Sequence, residues 1–65
     1  MVSEQPNVSA TGHYSVSATA RALGIDRKTL YRHTALRHIR QHRHKYTNRP
    51  FYVGSDIVRF WGAQY

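Results

Sequence analysis

Apolar residues recur at helical spacing in the first half of the chain. Val16, Ala20 and Leu23 fall at i, i+4 and i+7 and trace one stripe. Ser15 and Ser17 are both N-cap residue types, and Ser17 is the better fit because Ala18-Thr19-Ala20-Arg21-Ala22-Leu23 follows without a breaker. Gly24 sits just past the stripe, where a left-handed helix stop suits glycine. Asp26 is a strong N-cap for a second helix beginning Arg27-Lys28-Thr29-Leu30-Tyr31-Arg32-His33. The pattern predicts two short helices joined by three or four residues.

Between Ile25 and Pro50 no glycine or proline intervenes, which leaves two readings. The second helix either continues through Leu36 and Ile39, or ends near His33 or Thr34 and gives way to a strand at about His38. The strand is preferred, because Pro50-Phe51-Tyr52-Val53 is an aromatic, β-branched run closed by Gly54 and needs a partner. Alternation then places His38, Arg40 and His42 on one face and Ile39, Gln41 and Arg43 on the other, with residues 44–49 as the hairpin tip. Ser55 is expected to cap a last helix with Asp56 in its first turn. Ile57, Phe60 and Trp61 form its docking face, and Gly62 ends it. The expected core comprises Val16, Ala20, Leu23, Ile25, Leu30, Leu36, Ile39, Phe51, Val53, Ile57, Phe60 and Trp61. Residues 1–12 are polar and aperiodic and read as a mobile tail, with one domain over 13–65.

Composition narrows the function. A chain of 65 residues buries only about 60% of its unfolded surface, so one small core is expected. Ten Lys and Arg against three Asp and Glu give a net charge of +7, which points to a polyanionic partner. There is no cysteine, so neither a disulfide nor a Cys-based zinc site is expected. The three acids are Glu4, Asp26 and Asp56, the two aspartates at helix starts, and they do not suggest a paired-carboxylate active site. A histidine acid–base pair, as in some ribonucleases, has nothing to orient it, so no enzyme activity and no cofactor are expected. Nor is a metal: consecutive same-face strand residues are about 6.5–7 Å apart, so His38, His42 and His44 would suit zinc only on a sharply bent strand, and Arg40 lies between them. The histidines instead suit supplementary phosphate binding, strengthening from pH 8 to pH 6 wherever they meet the partner. No signal peptide or membrane span is apparent, so the expected location is cytoplasmic and nucleoid-associated, with no membrane partner.

The two-helix pattern carries the most specific signal. A helix-turn-helix needs a small residue where its helices cross, which Ala20 supplies, and a turning glycine, here Gly24. It also needs apolar residues beneath the second helix, here Ile25 and Leu30. Arg27, Lys28, Thr29, Tyr31 and Arg32 remain for base edges and phosphates in a major groove.

Tyr14-Ser15-Val16-Ser17, Ala20, Leu23-Gly24-Ile25, Arg27-Lys28-Thr29-Leu30-Tyr31-Arg32, and Phe51-Tyr52-Val53-Gly54-Ser55-Asp56-Ile57 with Trp61 carry a family resemblance. Over residues 14–62 the chain resembles the winged helix-turn-helix of phage and mobile-element excisionases, a fold shared with MerR-like DNA-binding domains. The resemblance implies a mainly α fold with a small β-hairpin, whose second helix reads double-stranded DNA. It implies a wing on adjacent DNA, here Arg40, Arg43, His44, Lys45, Tyr46, Asn48 and Arg49. It further implies an architectural role beside a site-specific recombinase in a bacterial or phage-infected cell, with cooperative self-assembly on DNA. The same module serves small transcriptional regulators and the DNA-binding domains of larger packaging or replication proteins. The segment from Ala35 to Arg49 is longer and richer in His and Arg than a minimal wing, and His33 and Thr34 replace apolar residues.

Overall fold

A computed structural model describes residues 1–63, so the last two positions of the expected domain lie outside the described residues. Elements follow in the order β1 (His13–Tyr14), α1 (Val16–Leu23), α2 (Arg27–Ala35), β2 (His42–Arg43), β3 (Pro50–Val53) and α3 (Gly54–Ala63). Over the described residues the architecture is mixed α/β, three helices with a three-stranded antiparallel sheet, rather than mainly α with a lone hairpin.

The first helix starts two residues earlier than the sequence suggests. Ser15, not Ser17, is the N-cap, its Oγ accepting from the Ala18 N–H at 3.1 Å. Starting there makes Val16 helical and puts Val16, Thr19, Ala20 and Leu23 on one buried side. Gly24 stops α1 at φ 70°, a conformation glycine adopts without steric cost. Asp26 caps α2 as expected, with Oδ1 accepting from the Thr29 N–H at 2.8 Å.

After α2 the chain departs from expectation. Arg37 stands at φ 62°, its N–H bonded to the Thr34 carbonyl, while the His38 N–H reaches the His33 carbonyl at 2.9 Å. These bonds satisfy carbonyls at the helix end, so residues 36–38 form a helix stop instead of opening a strand at His38. The partner strand shrinks to His42–Arg43, pairing His42 with Phe51 and Arg43 with Pro50. On its other side β3 pairs with β1, a two-residue strand too short to show any period.

The face assignment in β3 is reversed. Tyr52 is fully buried, whereas Phe51 and Val53 are half-buried on the opposite face. A tyrosine can occupy the core because its hydroxyl finds partners there, and the period of two then carries both neighbours away. The core is Val16, Ala20, Leu23, Leu30, Ile39, Tyr52, Ile57 and Phe60, with Ile25 and Trp61 packed at its edge. Leu36, expected inside, is 58% exposed because the helix stop turns it outward.

The opening residues, expected as a tail, lie along the domain. The Val2 N–H bonds the Leu23 carbonyl, and Trp61 Nε1 donates to the Val2 carbonyl, both at 2.9 Å. Carbonyls of Ala10 and Gly12 accept from the N–H groups of Ser55 and Gly54, satisfying two donors at the start of α3. The approach is so close that a Cβ on Gly54 would collide with the Ser9 carbonyl. Residues 1–12 thus extend the domain below its expected boundary at residue 13. No helix among the described residues is long and apolar enough to cross a membrane.

Candidate nucleic-acid interface

The second helix buries Leu30 and leaves a basic surface. Arg27, Lys28, Tyr31 and Arg32 are exposed and Thr29 is half-buried beside its bond to Asp26. Hydrogen bonding from the Thr29 side chain, then from its backbone N–H, with the Lys28 charge, holds the Asp26 carboxyl below its ordinary range. The α2 N-terminus is therefore occupied by its own capping carboxylate, and its free basic groups lie along the side of the helix.

The hairpin presents a second basic surface. The Asn48 N–H reaches back to the His44 carbonyl at 2.9 Å, and the His44 N–H bonds the Arg49 carbonyl at 3.0 Å. Asn48 stands at φ 56°, which its short polar side chain tolerates, so it builds the turn. Arg43 clasps that turn from the strand, Nη1 donating to the Asn48 carbonyl at 3.0 Å. Tyr46 is 92% exposed, with Lys45 Nζ 5.9 Å from its ring centroid. Lys45, Tyr46 and Arg49 thus share the tip, around a concavity of about 590 Å³ also lined by His44 and Thr47. Arg40, grouped with the wing from the sequence, is separate from it: it precedes β2 and lines cavities with Arg37.

The histidines divide differently from the strand alternation expected for them. His42 and His44 share a face, joined by His13 from β1, and all three rings surround Phe51 with centroids 4.4–5.4 Å from it. His38 is elsewhere, its Nδ1 3.0 Å from Nδ1 of His33. Burial, followed by the charges of His38 and Arg32, lowers the affinity of His33 for a proton. His42 Nε2 donates to Asp56 Oδ2 at 3.1 Å, fastening β2 to the first turn of α3. Among the described residues no group of three or more His, Cys, Asp or Glu is arranged to hold a metal.

The two basic surfaces are tied together by groups that the site assignment from sequence omitted. Thr34, at the end of α2, bonds the Leu30 carbonyl at 2.9 Å and the Tyr52 hydroxyl at 2.7 Å. Gln41, leading into β2, donates to the same hydroxyl at 3.1 Å. The sequence carries one clue: a threonine four residues after Leu30 can bond that carbonyl. The pairing with Tyr52, 18 positions away, is visible only in the fold. No family model matches this chain, and no curated protein or solved structure matches it.

Proposed function

We propose that this chain is a winged helix-turn-helix protein that binds double-stranded DNA in a sequence-specific manner. α2 enters the major groove, where Arg27, Lys28, Thr29, Tyr31 and Arg32 meet base edges and phosphates. The hairpin tip, with Lys45, Tyr46 and Arg49, lies on adjacent DNA. The observation that carries this reading is the presence of two exposed basic surfaces, α2 and the hairpin, linked through Thr34, Tyr52 and Gln41. A net charge of +7 on 65 residues supports a polyanionic partner.

The mechanism is non-catalytic. Phosphate contacts supply most of the affinity and α2 most of the discrimination. The resemblance to excisionases supports an architectural role beside a recombinase, in which the protein stabilises bent DNA and assembles on repeated sites. Bending costs of order 1–6 kcal/mol, which contacts from a second surface help to offset. Competition between labelled duplex DNA and RNA, followed by footprinting on the neighbouring genomic DNA, tests the reading. Preferential duplex binding at repeated sites flanking a recombination site supports it; preference for RNA overturns it.

A further inference from the structure

Beyond α2 and the hairpin tip, a third basic feature lies between the helix stop after α2 and the side of α3. A cavity of about 240 Å³ is lined by Arg37, His38, Ile39, Arg40, Asp56 and Arg59. We propose that Arg37, Arg40 and Arg59 form a binding site for a backbone phosphate of duplex DNA, separate from both surfaces already described. This rests on the DNA-binding reading and adds a contact to it.

Three features support the assignment. The three guanidiniums are on exposed residues, and among the described residues none forms an ion pair with a carboxylate. Among the described residues the one carboxylate lining the cavity, Asp56, has Oδ2 bonded to His42 Nε2 at 3.1 Å. Three permanent positive charges therefore face one negative charge that already has a partner, and guanidinium forks match phosphate oxygens. The size also fits: the cavity is smaller than the roughly 300–1,000 Å³ of typical small-molecule pockets and suits a single anionic group. Finally, Arg37 holds a left-handed conformation, φ 62°, at a helix stop where glycine is favoured. Arg37 and Arg40 also line the adjoining cavity, of about 440 Å³, so the basic surface continues past the first one.

The test compares wild type with the double variant R40Q/R59Q, whose positions are exposed and whose folding is checked by thermal melting. Two unrelated duplexes are titrated across a salt series. The site predicts about a tenfold loss of affinity in the variant. It also predicts a log–log salt slope shallower by about 1, equally for both sequences. Inorganic phosphate added to isotope-labelled wild type should shift the Nε resonances of Arg37, Arg40 and Arg59 saturably. Unchanged duplex affinity and slope in R40Q/R59Q, while R27Q/K28Q loses binding, would overturn the site and leave the DNA-binding reading standing. Phosphate shifts that miss these three arginines would also overturn it. Saturable phosphate shifts with no duplex binding by wild type would reject both the DNA assignment of the site and the reading beneath it.

Discussion

The Tyr52 hydroxyl donates to Thr34 Oγ1 across 2.7 Å, and the direction of that bond is determined by its surroundings. Thr34 has one hydroxyl proton, which it gives to the Leu30 carbonyl, so its oxygen accepts from Tyr52. Gln41 Nε2 in turn donates to the Tyr52 oxygen. Three donors thus run in one direction from the segment before β2, through the core, into the backbone of α2. Removing the hydroxyl in Tyr52→Phe leaves Gln41 without this acceptor and should cost about 1–2 kcal/mol. A double-mutant cycle with Thr34→Val, read by chemical denaturation, should give a coupling energy of about 1 kcal/mol; strict additivity would show that the chain of donors contributes nothing.

Thr19 offers the opposite case. Its side chain is fully buried in α1, and its Oγ1 has no hydrogen-bond partner among the described residues. Replacement by valine keeps the shape and removes an unsatisfied hydroxyl. Thr19→Val should raise stability by about 1 kcal/mol, seen as a higher denaturation midpoint. A loss of similar size would mean that the hydroxyl has a partner in solution.

The opening segment should matter to folding, although its composition suggests a tail. Deleting residues 1–12 exposes two N–H groups of α3 and removes the carbonyl that accepts from Trp61 Nε1. The expected cost is about 1–3 kcal/mol, read as a lower melting temperature together with slower tryptophan quenching in the full-length chain. Indistinguishable melting curves would show that these contacts do not support the domain.

Stability should also depend on His33. Burial and then the charges of His38 and Arg32 lower its folded-state pKa from the ordinary 6.5. The folded protein therefore binds this proton less readily than the unfolded chain. The contribution is fully present above 6.5, is lost as pH falls below that value, and levels off beneath the lowered folded value. Melting temperatures of wild type and His33→Gln between pH 7.5 and pH 5 should diverge in slope, wild type falling more steeply; parallel curves would contradict this.

Local chemistry made much of the molecule legible. The Gly24 stop and the Asp26 cap depend on residues within a few positions of each other, and both stand where the sequence places them. The stripe of Val16, Ala20 and Leu23 is likewise a property of one helix. The errors arose where a choice depended on distant partners. Tyr52 and Phe51 are both aromatic, and only the hydroxyl's partners, Thr34 as acceptor and Gln41 as donor, decide which one faces inward. The helix stop at Arg37 carries no glycine to announce it. For the candidate site, the basic residues of α2 and the hairpin were readable as charge. Arg37 and Arg59 were not readable as neighbours, because 22 positions separate them and only the packing of α3 beside the helix stop brings them together.

The central claim, that basic groups on both α2 and the hairpin engage duplex DNA, is tested most directly by fluorescence anisotropy across a salt series. With about six phosphate contacts, the log–log slope should be near −5, a loss of roughly a thousandfold in affinity from 50 to 200 mM salt. R27Q/K28Q and K45Q/R49Q should each make that slope shallower by about 2. A flat salt response in wild type, or a slope that neither pair of substitutions changes, would contradict the account.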